Sequence, residues 1–178
     1  MSNVDMARQF AEVAHAGQTR KGAGQEPYIS HVAEVAALVA GFGGSEGQVM
    51  AAWLHDTVED CGVLPAEIAE RFGDEVAALV AELTDDKSLP KAERKELQVR
   101  CAPHKTDAAA LIKICDKLSN IRAVGNAPPV HWPVARQAAY LDWAEAVVAR
   151  LPSGADPVRA AFAEALAGSR RLVAVREA

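Results

Sequence analysis

One stretch of the chain places an imidazole and several carboxylates where a helix would normally bury apolar side chains. Residues 51–60 read Ala-Ala-Trp-Leu-His-Asp-Thr-Val-Glu-Asp, so four apolar residues precede the polar ones. On a helix with Ala52 as position i, the polar residues fall at i+3, i+4, i+7 and i+8, the spacing of a buried stripe. They are His55, Asp56, Glu59 and Asp60. Because such carboxylates repel one another and are poorly solvated, the pattern predicts a positive partner, most simply a divalent cation.

Three further polar residues lie in apolar surroundings. His31 stands one residue before the apolar stripe of a predicted helix, Asp116 lies inside the apolar run 111–121, and Asn120 follows one turn later. Taken singly, each has an ordinary explanation, since a histidine near a helix start is usually on the surface and a buried aspartate usually pairs with a basic residue. For Asp116 the candidate partners are Lys113, Lys117 and Arg122.

Considered together, these residues predict a metal site. Two histidines and two aspartates (His31, His55, Asp56 and Asp116) form a mixed nitrogen and oxygen ligand set, suited to manganese, iron or zinc rather than calcium. Adjacent helical residues diverge by about 100°, so His55 and Asp56 can share one ion only if their rotamers adjust.

The elements that must position these residues are all predicted to be helices. Apolar residues recur at helical spacing, no convincing period-2 run occurs, and alanine is frequent. The fold class is therefore all-α, with roughly eight to ten helices. The predicted helices cover residues 5–15, 30–40, 46–59, 65–72, 74–83, 107–121, 134–150 and 158–173, and a further one follows the polar segment 84–95, runs through Leu97 and Val99 and ends before Pro103. Asn3 or Asp5, Ser30 and Asp74 are the expected N-caps of three of them.

Composition limits the compartment and the partners. A chain of 178 residues is expected to form a single domain, 1–178. The net charge of −5 argues against nucleic acid, so anionic ligands need local basic groups. The three cysteines have no metal-type spacing, which favours a reducing compartment. No signal peptide or membrane-spanning run is apparent, and we expect a cytoplasmic protein with no membrane partner; the oligomeric state is not predicted.

The motifs around these residues resemble a known family. His31, the pair His55-Asp56 and Asp116 match the H…HD…D pattern of the HD-domain metal-dependent phosphohydrolases, whose fold is a helical bundle. Several segments are similar, more narrowly, to the RelA/SpoT-type alarmone hydrolase domain. They are residues 17–21, 27–31, 55–60, 85–91, 116–122 and 140–143. The similarity runs from about His15 to Arg150 and is greatest to the stand-alone small alarmone hydrolases, which include the metazoan SpoT homologue. Val32 departs from the proline usual in the family.

The resemblance implies a manganese-dependent hydrolase that removes the 3′-pyrophosphate of (p)ppGpp, yielding GDP or GTP and pyrophosphate. The one divalent ion would be held by His31, His55, Asp56 and Asp116. It would lower the pKa of bound water and neutralise phosphate charge. Glu59 and Asp60 match the acidic pair that orients or deprotonates the water in the family.

The resemblance also implies a set of substrate-binding residues. They are Arg20, Lys21, Asn120, Tyr140, Lys91 and Arg136. Arg20 and Lys21 lie on the glycine-rich loop 17–27, and Arg20 matches the residue that lies against the base. For Lys91 a solvated helix face is an equally good explanation, and for Tyr140 the alternative is a core aromatic residue.

Two other functions remain open on the sequence. One is hydrolysis of a different phosphorylated nucleotide, either an adenine analogue of the alarmone or the phosphate of NADPH, because both would use the same metal and acidic pair. The other is a non-catalytic nucleotide-binding module, which is disfavoured since the predicted ligands and the acidic pair are all present. The length leaves no room for the synthetase and regulatory domains of the long RelA/SpoT enzymes, so we expect a hydrolase domain alone. His104 and His131 are expected at the surface.

Overall fold

Helices dominate the computed structural model of the protein, which describes residues 2–152 and 157–177. In chain order they are α1 (Asn3–Ala14), α2 (Ile29–Gly41), α3 (Glu46–Leu54), α4 (Thr57–Cys61), α5 (Pro65–Phe72), α6 (Asp74–Leu83), α7 (Lys91–Cys101), a 3-10 turn (Ala102–His104), α8 (Asp107–Asn126), α9 (Val134–Arg150) and α10 (Pro157–Glu177). The described residues contain isolated β-bridges but no strand. The predicted all-α class and helix number are confirmed; the predicted connection between α9 and α10 lies largely outside the described residues.

Helix α8 lies at the centre of the molecule. It packs against α10, α2 and α9, and also touches α3 and α6. Because neighbours surround it, even its polar residues are buried, and Lys113, Asp116, Lys117 and Ser119 are each at most 7% exposed. Polar groups buried in this position require hydrogen-bond or ion-pair partners.

Three helix starts differ from the sequence prediction. Ser2, rather than Asn3 or Asp5, caps α1, since its hydroxyl accepts from the Asp5 amide at 3.2 Å while the Asp5 carboxylate accepts from the Ser2 amide. Ser30 lies inside α2, and its hydroxyl donates to the Pro27 carbonyl. Helix α6 is preceded by Gly73 at φ 89°, so its cap is this glycine and not the adjacent aspartate.

The predicted helix 46–59 is interrupted in its middle, and this prediction was wrong. Helix α3 ends at Leu54 and α4 begins at Thr57. The imidazole of His55 donates through Nδ1 to the Ala52 carbonyl at 2.7 Å, and the Thr57 hydroxyl donates to the Leu54 carbonyl at 2.7 Å. Side chains thereby occupy carbonyls that a continuing helix would use. His55 and Asp56 occupy the turn between the two helices, both with right-handed helical dihedrals.

The glycine-rich loop 17–27 is fixed mainly by its backbone. Isolated bridges join Thr19 to Pro27 and Gly22 to Pro129, and the Val130 amide donates to the Lys21 carbonyl at 3.3 Å. A Cβ atom at position 22 would lie 2.8 Å from the Ala127 carbonyl oxygen, so the close approach requires glycine. The loop is therefore held against the turn between α8 and α9.

Within the part of the chain that the structure describes, no helix has both the length and the apolar character needed to cross a membrane.

Candidate active site

Three of the four predicted metal ligands converge from separate elements. His31 comes from α2, His55 from the α3–α4 interruption and Asp116 from α8, and each offers one ligand atom within 4.8 Å of the other two. The Nε2 atom of His31 lies 3.4 Å from Asp116 Oδ1, and that of His55 lies 4.0 Å from the same oxygen. All three side chains are buried. This group could bind a divalent metal ion.

Asp56, the fourth predicted ligand, lies beside this group. Its Oδ2 is 3.1 Å from His55 Nε2 and 3.9 Å from His31 Nε2. The same oxygen accepts a hydrogen bond from the Tyr28 hydroxyl at 2.6 Å. Asp56 therefore contacts both histidines while a phenol holds its carboxylate in place.

The hydrogen bonds of the two histidines leave their Nε2 atoms available for a ligand. The Nδ1 atom of His55 is occupied by the Ala52 carbonyl, and the Nδ1 atom of His31 lies 2.9 Å from the Ser119 hydroxyl. The buried Nε2 of His55 makes no well-oriented hydrogen bond among the described residues, although Asp56 Oδ2 lies 3.1 Å away. An imidazole whose Nδ1 is bonded to an oxygen and whose Nε2 faces carboxylates has the arrangement of a metal-ligating histidine, so the residues fit a cation.

The charges of the site are strongly coupled. Burial opposes ionisation of Asp116, yet Lys117, which donates to its Oδ2 at 3.2 Å, and His31 hold its pKa well below the usual range. Burial likewise opposes ionisation of Asp56, but His55 keeps its pKa low. For His55, burial favours the neutral form, and the charges of Asp56 and Asp116 outweigh it and raise its pKa to about 9. The carboxylates thus attract positive charge to this point.

The predicted acidic pair occupies two different environments. The carboxylate of Glu59 is half-buried and accepts from the Asp85 amide at 3.2 Å and from the Arg94 guanidinium at 3.4 Å. Burial raises the pKa of Glu59. Asp60 is exposed and forms an ion pair with Lys87. The surroundings of Glu59 therefore make its carboxylate a stronger base.

A cleft of about 520 Å³ is lined by four of the six predicted substrate-binding residues. They are Arg20, Lys21, Asn120 and Tyr140. The guanidinium of Arg20 donates to Asn120 Oδ1 at 3.3 Å, and the Asn120 amide donates to Asp116 Oδ1 at 2.7 Å. A hydrogen-bonded path therefore connects the basic loop to a candidate metal ligand.

A second cleft of about 310 Å³ contains the other two, Lys91 and Arg136. It shares Lys21, Trp132 and Tyr140 with the first cleft and is rich in cations. The remaining basic residues of its wall are Arg94 and Lys95. The ring of Tyr140 packs between Trp132 and Trp143, with centroids 5.4 Å and 5.3 Å away, so it is both a packed aromatic residue and part of the wall.

Sequence reasoning overlooked several residues that the structure places against the site. Tyr28 holds Asp56, Ser119 contacts His31, and Arg94 contacts Glu59. Tyr28 and Ser119 belong to the motifs 27–31 and 116–122, and this was the only signal available for them. Lys117 was one of the candidate partners of Asp116 and is the one that pairs with it, whereas Arg122 pairs with Glu34 at 3.3 Å. His104 and His131 are exposed, as expected.

A helical fold that gathers histidines and aspartates from α2, the α3–α4 interruption and α8 is typical of the HD class of hydrolases. The HD domain family matches residues 7–144, and the chain belongs to this family. The chain is 43% identical over 144 residues to guanosine-3′,5′-bis(diphosphate) 3′-pyrophosphohydrolase MESH1 of Xenopus tropicalis, and 44% identical to MESH1 of Homo sapiens. Each alignment covers 80% of this chain and 80% of the relative.

Solved structures agree with this assignment. One, described as a metazoan ortholog of SpoT that hydrolyzes ppGpp and plays a role in starvation responses, superposes with a TM-score of 0.90 at 36% identity and covers 97% of both chains. Another, from Listeria monocytogenes EGD-e, gives a TM-score of 0.67 at 28% identity over 83% of this chain and 98% of that one. The resemblance inferred from the motifs is confirmed.

Proposed function

We propose that the protein is a metal-dependent hydrolase that removes the 3′-pyrophosphate of ppGpp and pppGpp to give GDP or GTP and pyrophosphate. One observation carries the proposal. The buried Nε2 of His55 faces the Asp56 and Asp116 carboxylates at 3.1 Å and 4.0 Å and belongs to a three-ligand group beside two clefts with basic walls. A ligand group next to cation-rich clefts suits a phosphorylated small molecule. The similarity to ppGpp hydrolases supports this substrate.

We assign one divalent ion to His31, His55 and Asp116, with Asp56 completing the set, and propose manganese. When bound, such an ion supplies positive charge to the phosphate oxygens and makes water more acidic. The protein's own part is to hold two imidazoles whose Nε2 atoms face the ion, to keep Asp116 ionised through Lys117, and to fix the Asp56 carboxylate through Tyr28. The mixed nitrogen and oxygen donors favour a transition metal over calcium.

Hydrolysis requires a group that receives a proton from the attacking water. Attack on the phosphorus next to the ribose breaks its bond to the 3′ oxygen, so the water hydroxyl leaves with pyrophosphate and a proton ends on the 3′ oxygen. We assign the acceptor role to Glu59, because its half-buried carboxylate has a raised pKa and is held by Asp85 and Arg94. Asp60, which is exposed, is assigned to orienting the water.

The substrate carries several negative charges, whereas the chain has a net charge of −5. Binding therefore depends on the local cations of the two clefts. We assign the nucleoside to the larger cleft, where Arg20 is tied to Asn120, and the remaining phosphates to the smaller cleft with Lys91 and Arg136. Lys21 and Tyr140 line both clefts and would contact the substrate between them. The proposed ligand is a free nucleotide in the cytoplasm and not a nucleic acid.

The test is a turnover assay on metal-stripped protein with ppGpp, with and without added Mn²⁺, that follows GDP and pyrophosphate. The expected result is release of both products only with the metal. Asp116→Ala should abolish metal binding and turnover, whereas Asp142→Ala changes an exposed aspartate of α9 and should leave both intact. Full metal occupancy and rate in Asp116→Ala would contradict the ligand set.

The same assay separates the alternatives. Metal bound without product release would redirect the search to adenine alarmones and to the phosphate of NADPH, which the same ligands and base could serve. Nucleotide binding without any metal would favour a non-catalytic module.

A further inference from the structure

A chain of buried hydrogen bonds leads from the larger cleft to one of the candidate metal ligands. The Ser119 hydroxyl lies 2.6 Å from Glu34 Oε2 and 2.9 Å from His31 Nδ1. Ser119 is 1% exposed and His31 is 2% exposed. Glu34 lines the cleft and also accepts from Arg122 at 3.3 Å. These contacts join α2 and α8 behind the ligand group.

The chemistry of the three groups fixes the direction of both hydrogen bonds. An ionised carboxylate accepts only, so the single hydroxyl proton of Ser119 points to Glu34. The hydroxyl oxygen must then accept from His31, which places a proton on Nδ1, so that in the neutral imidazole Nε2 is the nitrogen with the lone pair. That Nε2 is the atom 3.4 Å from Asp116 Oδ1. The orientation of His31 is thus set by side chains, whereas that of His55 is set by a backbone carbonyl.

We propose that Glu34 and Ser119 are positioning residues that fix the tautomer and the ring orientation of His31 for metal binding. The inference rests on the proposed function only in taking His31 as a ligand, and it concerns residues to which no role has been assigned above. Outer partners of ligating histidines typically contribute about 10- to 100-fold to metal affinity. Glu34 accepts the hydroxyl proton of Ser119 and so fixes its direction, and the Ser119 oxygen accepts the Nδ1 proton of His31. We call this chain of Glu34, Ser119 and His31 the relay.

The experiment measures the Mn²⁺ affinity of metal-stripped protein without any nucleotide, so its outcome is independent of whether ppGpp is the substrate. Ser119→Ala removes the acceptor for the His31 Nδ1 proton and should weaken Mn²⁺ binding about 10- to 100-fold. Ser169→Ala is the matched control, because Ser169 is also buried, at 5% exposed, and donates to the Ile121 carbonyl of α8, outside the relay. It should bind Mn²⁺ like the unmodified protein.

Two further variants test the direction of the relay. Glu34→Ala frees the Ser119 proton to point at His31 and should weaken Mn²⁺ binding, whereas Glu34→Gln retains an acceptor oxygen and should recover most of the affinity. Long-range ¹H–¹⁵N NMR of the imidazoles should show His31 losing its Nδ1-protonated form in Ser119→Ala. Unchanged Mn²⁺ affinity in folded Ser119→Ala, or equal affinities for Glu34→Ala and the unmodified protein, would overturn the proposal.

Discussion

The two carboxylates of the candidate site determine the protonation of His55. Its pKa is raised to about 9 because Asp56 and Asp116 outweigh the effect of burial. In metal-stripped protein the imidazole therefore retains a proton below this pH, and an ion that binds Nε2 must displace it. Mn²⁺ affinity should rise by up to about tenfold per pH unit between about pH 6.5 and 8.5.

Calorimetric titrations with Mn²⁺ in buffers of different ionisation enthalpy would check this pH dependence. They should count close to one proton released per ion bound at neutral pH. Binding that is independent of pH and releases no proton would show that His55 is not the protonated ligand inferred from its surroundings.

Glu59 differs from the metal ligands in its contacts, which are with Asp85 and Arg94. Glu59→Gln keeps the size of the side chain but removes its ability to accept a proton. Turnover should fall about 10²- to 10⁴-fold while Mn²⁺ affinity stays unchanged. Glu67→Gln, at a partly exposed glutamate paired with Arg71, is the control and should retain the rate. Loss of Mn²⁺ from Glu59→Gln would instead make Glu59 a ligand.

Single residues could be predicted from the sequence where their burial is costly. Asp116 stands out in an apolar run because an unpaired buried carboxylate is unfavourable, so its position alone indicates a partner. Ser119 and Tyr28 carry no such signal, since a buried hydroxyl is common and its role depends on a partner far away in the sequence. The Ser119 and His31 positions are 88 residues apart.

The interruption between α3 and α4 is the element that carries His55 and Asp56. Sequence reasoning extended the helix to residue 59 because residues 51–54 all favour a helix. The interruption is decided by side chains that bond to the backbone, notably the Thr57 hydroxyl on the Leu54 carbonyl. Such competition depends on geometry that periodicity does not contain.

Thr57→Val tests this interpretation. The substitution keeps the shape of a fully buried side chain and removes the donor to the Leu54 carbonyl, which should cost about 1–3 kcal/mol of unfolding free energy. Mn²⁺ binding should weaken as well, because the adjacent ligands lose their fixed backbone. Urea denaturation and Mn²⁺ titration measure the two effects. Thr57→Ser restores the hydroxyl and should recover both; equal stability of the valine and threonine proteins would disprove the role of the hydroxyl.

At the scale of the whole molecule, α10 supports the helix that carries Asp116 and Asn120. Arg176 donates to the carbonyls of Val124 and Gly125 at the end of α8. The Ser169 hydroxyl donates to the Ile121 carbonyl at 2.9 Å. A Cβ atom on Gly125 would lie 2.6 Å from the Ser169 oxygen and 3.0 Å from its Cα. The two helices can approach only because position 125 has no side chain.

Gly125→Ala should therefore destabilise the protein by about 1–3 kcal/mol, because α10 must move away from α8. Gly168→Ala is the matched control: its nearest neighbour is the Arg171 side chain at 3.8 Å, and it should stabilise by about 0.5–1 kcal/mol through helix propensity. Urea denaturation of both variants gives the comparison. Equal stability of the two would show that the helix contact is not tight.

The all-α class was predictable because helical periodicity is a local property, repeated in every segment. The arrangement of the two clefts was not, since their walls combine residues from the loop 17–27, α7, α8 and α9. The resemblance to family motifs supplied candidates for the cleft walls that periodicity could not supply. It selected Lys91 and Arg136, which pattern alone could not have distinguished from solvated surface residues.

The loop 17–27 keeps its shape through backbone contacts, with Gly22 against Ala127 and the bridge to Pro129, while its side chains line the larger cleft. The backbone atoms of the loop therefore hold its shape, while the side chains of the same residues form part of the cleft wall. The exposed side chain of Thr19 can be exchanged without loss of the loop's path, provided position 22 stays glycine, whereas the φ of 44° at Gln25 disfavours bulky or β-branched replacements there. Substrate preference in this fold can therefore diverge by small steps, each of which leaves a folded and metal-competent protein.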